Sequence, residues 1–249
     1  MKSVKWTSRE NLTNAEKTGM FGGVSWRARR DCLLCLDETV RDFVCENCEH
    51  FLAVSTPRCV RCAIPVACAG SWCGDCVQNP PPFDDIVTAF DYRFPVDRLV
   101  RRFKFATDLA AGAYLGNALA RAVATASRPD LLLAAPSSAA RLRERGFDPA
   151  LLLARRVRSR LGLALDAGAL SKVRHTPPQT GLERADRRRN LLGAFAVDRR
   201  LAGMHVAVVD DVMTTGATLS ALAVALRDAG ASRVSGWVAA RTPEPMAEG

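Results

Sequence analysis

Between Cys32 and Cys76 the chain places all nine of its cysteines, eight of them as four Cys-x-x-Cys pairs. The pairs are Cys32/Cys35, Cys45/Cys48, Cys59/Cys62 and Cys73/Cys76, with Cys68 left over. Two thiolates three positions apart can grip one tetrahedral Zn²⁺ from a tight knuckle, and two knuckles complete a four-thiolate shell. Four knuckles therefore read as two structural zinc sites. Buried or redox cysteines would need no such repeat, and no secretion signal points to the oxidising compartment in which this density would mean disulfides. Pairing neighbours in sequence, first with second and third with fourth, gives two short zinc ribbons of similar loop length. A cross-braced pairing satisfies the same count.

The cysteine module is short and poor in core residues, so metal is expected to substitute for a hydrophobic interior. It is bounded at residues 27–79, with Pro80-Pro81-Pro82 as a stiff linker into a domain over 80–249. Residues 1–26 look foreign to the remainder. They hold Lys2, Lys5 and Lys17, three of five lysines in an otherwise arginine-rich chain, and show no sustained apolar period. A disordered leader is the expectation there, with Met20 or Val24 as alternative starts.

A hydrophobic fraction of 48% belongs to a folded chain rather than a disordered one. No apolar run reaches the ~18 residues that a membrane span needs; the longest candidate, 109–126, is broken by Asn117 and Arg121. No membrane insertion and a cytoplasmic location are expected. The net charge of +9 favours an anionic partner, either nucleic acid or a phosphorylated small molecule, without choosing between them.

Beyond the prolines, short apolar strands alternate with helical patterns. Ile86–Phe90 reads as a strand, Val96 to about Thr125 largely as helix, and Leu131–Ala135 as a buried strand stopped by Pro136. Asp148-Pro149 is a cap with proline at the first helical position, opening a helix through Leu161. Val206–Val209 is another buried strand, Leu219, Leu222, Ala223 and Leu226 mark one face of a helix ending near Gly230, and Val234–Ala240 reads as the last strand. The class expected is α/β, a mostly parallel sheet flanked by helices, with ligands beyond the carboxyl ends of the strands.

Chemistry concentrates in VVDDVMTTGAT, residues 208–218. Asp210 and Asp211 stand at a strand end, and Thr214, Thr215, Gly216, Ala217 and Thr218 lead into a helix whose N–H groups can cradle a phosphate. Neither G-x-x-x-x-G-K-[ST] nor G-x-G-x-x-G is present to signal a nucleotide. Aspartates beside an anion site make sense for a sugar phosphate: carboxylates accept hydrogen bonds from vicinal hydroxyls and can hold Mg²⁺. A ribose 5-phosphate meets both demands.

The stretch resembles the phosphoribosyl diphosphate (PRPP) binding motif of type I phosphoribosyltransferases. That resemblance implies their fold, with Asp210 and Asp211 as catalytic residues engaging the ribose hydroxyls and Thr214 to Thr218 binding the 5-phosphate. FDYRFPVDRLVRRFKF (90–105), APSSAARLRERGFDPALLLAR (135–155) and HTPPQTGLERADRRRNLLGAF (175–195) are similar to the competence-associated ComF family, whose members also carry an amino-terminal zinc-ribbon region. The match covers nearly everything after about residue 30. Departures fall at Ala134, where the family commonly has proline, at Ser137-Ser138, where it has Leu-His, and at Asp148, where it has asparagine. Both residues cap helices well, so the last change is harmless.

By the resemblance, Ala135, Pro136, Ser137 and Ser138 form the loop that holds pyrophosphate, with Lys104, Arg141 and Arg145 as candidate cations. Each cation reads equally as a solvated surface residue. The polar segment 175–190 is expected to be a flap over the substrate, in which Gln179, Arg187 and Asn190 match the family pattern. The function implied is a Mg²⁺-dependent phosphoribosyltransferase, a glycosyltransferase of unknown acceptor linked to competence and DNA uptake. The alternatives are a protein that handles single-stranded DNA through its zinc ribbons and arginines, and a PRPP-sensing regulator without turnover. Aromatic residues make up only 6% of the chain, which speaks against an extended base-stacking platform.

Overall fold

The computed structural model describes residues 30–39, 43–52, 56–173 and 193–243. The expected leader and the whole of the expected flap, 175–190, including Gln179, Arg187 and Asn190, lie outside the described residues. In chain order the elements are β1 (Arg30–Asp31), β2 (Glu38–Thr39), α1 (Glu46–Leu52), α2 (Gly74–Gln78), β3 (Asp85–Asp91), α3 (Val96–Phe105), α4 (Leu109–Ala122) and β4 (Leu131–Ala134). There follow α5 (Ala139–Arg145), α6 (Pro149–Leu161), β5 (Leu165–Asp166), β6 (Leu170–Lys172), β7 (Phe195–Val197), β8 (His205–Met213), α7 (Ala217–Asp228) and β9 (Arg233–Arg241).

The central sheet has five strands in the order β3-β9-β8-β4-β5, and every pairing is parallel. Burial explains the arrangement. Val206 to Val209 of β8 and Val238 to Ala240 of β9 are completely shielded from solvent, as strands covered by helices on both faces must be. Residues of α3, α4 and α6 form one hydrophobic cluster with Leu132, Val209 and Trp237, while α7 contributes to a second with Leu133, Val208 and Val238. Adjacent positions of each strand thus serve opposite faces.

The stretch expected to be largely helical, Val96 to about Thr125, is helical as two elements, α3 and α4. Thr107 takes a left-handed φ of 53°, and the Asp108 carboxylate then accepts hydrogen bonds from the N–H groups of Ala110 and Ala111, opening α4. Arg102 of α3 closes the corner on Asp108 at 2.6 Å. The break lets α4 fold back on α3, and Gly112 makes the approach close. A Cβ there would lie 2.4 Å from the ring of Phe103.

The two cysteine groups sit on opposite faces of the sheet. Cys32 and its neighbours Val44 and Leu52 join the cluster of α3 and α4; Cys59, Cys62, Cys73 and Cys76 join that of α7. Arginines strap each group down. Arg102 donates to the carbonyl of Leu33 at 2.6 Å and Arg121 meets Glu49 at 2.7 Å. On the other face Arg58 bridges Ala63 O and Asp91, and Arg61 donates to Pro81 O.

Among the described residues no helix is long and apolar enough to cross a membrane.

Candidate functional site

The sheet opens where two neighbouring strands part company. β4 stays in register with β8 only as far as Ala134 opposite Val209, whereas β8 runs on beside β9 to Met213 opposite Arg241. The strand expected to stop at Val209 therefore runs on through Met213, because β9 extends far enough to pair with it. Past Val209, β8 has a neighbour on one side only. The chain leaves β4 towards β5 on one side and leaves β8 towards β9 on the other, so this gap is the crevice at which open parallel sheets bind ligands.

Asp210 and Asp211 are the first residues past the gap. Asp210 accepts from the N–H of Asp211 at 2.8 Å, and Asp211 from the N–H of Val212 at 2.6 Å. Lys104, from the last turn of α3, reaches Asp211 with its Nζ 2.8 Å away. Asp210 keeps some surface at the mouth, yet protein surrounds its carboxyl closely. Burial first, then the charge of Asp211, pushes its pKa up to about 8, against the opposing pull of Lys104. Two carboxylates so placed disfavour each other's charge, a conflict that a cation or hydroxyl donors can relieve.

The loop from Ala135 to Ser138 leaves β4 beside this pair. The N–H of Ala135 still donates to Val209 O at 2.8 Å, which seats the loop one residue from Asp210. Asp148 caps α6 through the N–H of Leu151, as expected, and its other oxygen holds the N–H of Ser137 at 3.0 Å. That second bond was not legible in the sequence. Ser138 caps α5 through the N–H of Arg141. Arg145 stands with its guanidinium 5.2 Å from the ring centre of Phe105, next in sequence to Lys104, and Arg141 lies close enough to Lys172 to lower that amine's pKa, second to burial.

Thr214 to Thr218 turn from β8 into α7. Gly216 is left-handed, with φ 78°, a conformation that favours glycine, and a Cβ on it would sit 2.6 Å from Met213 Cε and displace that methyl. The side chain of Thr215 accepts from the N–H of Ala217 at 3.4 Å. The first N–H groups of α7 have no partner within the helix and favour an anion. Arg241 ends β9 almost completely buried, 6% exposed, and its guanidinium lies beneath this turn. It donates to the carbonyls of Met213 at 3.3 Å, of Thr214, and of Thr242 at 2.6 Å, while its Nε donates to Cys62 O at 3.0 Å. The one signal for it in the sequence was a charge closing the apolar run VSGWVAAR.

The cysteines resolve into two groups of four, Cys32/Cys35/Cys45/Cys48 and Cys59/Cys62/Cys73/Cys76, with the sulfurs of each within 4.8 Å of one another. Knuckles adjacent in sequence pair, and cross-bracing is excluded. Each group fits one Zn²⁺ by its donor set and by its surroundings. Burial would raise the thiol of Cys32, but N–H groups of Cys35, Cys45 and Leu34 outweigh it and bring it down to about 6. Cys59 falls likewise to about 7, its burial offset by N–H groups of Cys62, Cys73 and Arg61. In the same groups burial and the neighbouring sulfurs push Cys48 and Cys76 far up and Cys62 to about 11. Four converging thiols cannot all ionise unaided, and a dication removes that conflict.

The chain is 34% identical over 205 residues to DNA utilization protein YhgH of Salmonella typhimurium, a match covering 80% of this chain and 90% of that one. Competence protein F of Haemophilus influenzae is 31% identical over 207 residues with the same shares covered. Among solved structures, a purine phosphoribosyltransferase from Pyrococcus horikoshii is similar over 63% of this chain and 88% of its own, at 18% identity and a TM-score of 0.33. No protein-family model matches the chain.

Proposed function

Since the chain belongs to the ComF family, with competence protein F and DNA utilization protein YhgH, we propose that the crevice between β4 and β8 binds PRPP with Mg²⁺ and transfers its phosphoribosyl group to an acceptor. The observation that carries this reading is the pair Asp210-Asp211 at the sheet opening, with a glycine turn and the N-terminus of α7 continuing from the same strand. Acceptors for hydroxyl groups and donors for a phosphate thus follow one another along one segment, in the order that a ribose 5-phosphate presents them.

The residues fit a divalent cation, because a cation lets both carboxylates ionise. Asp210 and Asp211 would hold Mg²⁺, directly or through the ribose hydroxyls, and the ion supplies positive charge for a departing pyrophosphate. The loop from Ala135 to Ser138 is pinned by Asp148; Pro136 has no N–H and those of Ala135 and Ser137 are already bonded, so the loop would meet that pyrophosphate with the N–H of Ser138 and the serine hydroxyls, while Lys104 adds charge at the rim. Thr214 to Thr218 hold the 5-phosphate. Fixed at both ends, the sugar presents C1 to an incoming nucleophile, so the protein acts chiefly by positioning.

Calorimetry with PRPP and Mg²⁺ tests binding, with a dissociation constant in the micromolar range expected and no heat at millimolar ligand sinking the reading. Pyrophosphate release is then expected with one member of a panel of bases and amines. Binding without release across the panel would leave a PRPP sensor.

A second reading rests on α3. Arg98, Arg101 and Phe105 are exposed at helical spacing on one face of α3, and Phe94, just ahead of the helix, sets its ring beside Arg98, the two rings being 70% and 68% exposed. Guanidinium groups of Arg98 and Arg145 stand 5.2 Å from the ring centres of Phe94 and Phe105. Rings interleaved with cations suit a single nucleic-acid strand, whose bases stack while its phosphates meet arginine. The low aromatic content of the whole chain conceals this local stripe. Phe94→Ala/Phe105→Ala is expected to weaken binding of a labelled oligothymidine at least ~10-fold, given ~1–3 kcal/mol per stacked base, and to leave PRPP affinity unchanged. Equal oligonucleotide binding by variant and parent rules the stripe out.

A further inference from the structure

Arg241 connects two sites distant in the chain, Cys62 and the Met213-Thr214 pair. One guanidinium donates to Cys62 O, within the second cysteine group, and to the carbonyls of Met213 and Thr214, at the head of the phosphate-binding turn. Thr242 strengthens the contact by donating its N–H to Met213 O at 2.9 Å. The same junction is packed as one unit. Cys62, Cys76, Phe83, Met213 and Thr215 line a single cavity of about 30 Å³, and Phe83 and Met213 touch the place where a side chain on Gly216 would stand. No comparable bond from the first cysteine group to the turn occurs among the described residues; that group is strapped to α3 and α4 instead.

The geometry points to Arg241 as a positioning residue through which the metal state of the second cysteine group sets the affinity of the Thr214–Thr218 turn for a sugar phosphate. The inference rests on the PRPP reading of that turn. The physical reason is the number of fixed acceptors. Carbonyls of Met213 and Thr214 that face a buried guanidinium leave the N–H groups of the turn facing the crevice, where an anion needs them. Cys62 O stays in place as long as its own thiolate is clamped by metal. When the knuckle opens, one of the fork's anchors moves, and the carbonyls of the turn lose their common donor. Lysine cannot substitute, because one ammonium does not span carbonyls on three segments in fixed planar directions.

Coupling is reciprocal, so bound sugar phosphate must hold the metal more firmly. The test uses zinc-loaded full-length protein. Release of zinc to a chromogenic chelator is followed with and without saturating PRPP and Mg²⁺, alongside calorimetry of the same samples. In the parent protein the ligand is expected to slow release of one of the two zinc ions about 10-fold and to leave the other unaffected. Arg241→Met and Arg241→Lys are expected to keep two zinc ions and the parental circular dichroism. Both should bind PRPP about 10-fold more weakly and show no protection of either ion. A merely structural arginine would lower the melting temperature and leave the protection intact. Binding by the parent without selective protection overturns the inference, and this comparison stands even if neither variant folds. Protection that survives in the variants overturns it equally. Failure of the parent to bind PRPP at all is read from calorimetry and refutes the site itself.

Discussion

Asp210→Asn/Asp211→Asn is expected to lower the affinity for PRPP with Mg²⁺ by at least ~100-fold while the protein remains folded. Hydrogen bonds to charged groups contribute roughly 1.5–3 kcal/mol each, and the double change removes two such acceptors together with the negative charge that attracts a dication. Asparagine keeps the size of each side chain, so the sheet opening is preserved. The variant also has a signature without ligand. Asp210 titrates near 8 in the folded protein, well above an unfolded carboxylate, because burial and then Asp211 disfavour its charge. Between about pH 4 and pH 8 the native state therefore binds more protons than the unfolded one, and stability falls as pH rises through that window. Its contribution is complete at acid pH and lost above about 8. Thermal unfolding across pH 5 to 9 should show this decline in the parent, its relief by Mg²⁺, and a flatter profile in the variant. Undiminished PRPP binding by the double variant would remove the aspartates from the site.

Loss of metal from the second cysteine group is expected to be the most destabilising single event in the molecule. Cys59, Cys62, Cys73 and Cys76 are all buried and share their cluster with Ile64, Phe83, Met213 and the inner face of α7. Cys76→Ser leaves three thiolates crowded around a weakened ion in that interior, which places it with the changes of ~4 kcal/mol or more. For a domain of this size that corresponds to a drop of roughly 8–16 °C in melting temperature. Cys35 belongs to the first group and is exposed, so Cys35→Ser is expected to cost less than half as much. Calorimetric melting paired with metal analysis decides the matter. Equal losses from the two variants would show that burial does not set the difference, and clearly fewer than two zinc ions per chain in the parent would refute the two-site count.

The elements differ in how far ahead of the structure they could be read. Strands built from unbroken apolar runs, such as Val206–Val209, were legible because burial on both faces needs nothing but composition. The largely helical character of 96–125 was legible, but not the corner that divides it, since both halves have helical period and the corner depends on a left-handed Thr107 and on Asp108 caught by Arg102. Asp148 was legible as a cap, a contact three residues long, and illegible as the anchor of Ser137, eleven residues away. The aromatic stripe on α3 was hidden for a related reason. Exposure of Phe94 and Phe105 is decided by what α3 packs against.

Local chemistry was therefore determined by the sequence alone. The thiols of each Cys-x-x-Cys pair, the glycine that the turn after Asp210-Asp211 favours, and the alternation of apolar strands with helices all depend on neighbours a few residues apart. Only the tertiary structure decided which cysteine pairs come together, where β4 leaves β8 to open a crevice beside the aspartates, and what lies beneath the turn that follows them. Arg241 states the reason most plainly. Its acceptors stand 179 residues away at Cys62 and 27 away at Thr214, and no spacing rule relates such positions. They meet because a buried guanidinium must find carbonyls somewhere, and the packing of the second cysteine group against the sheet determines which ones it finds.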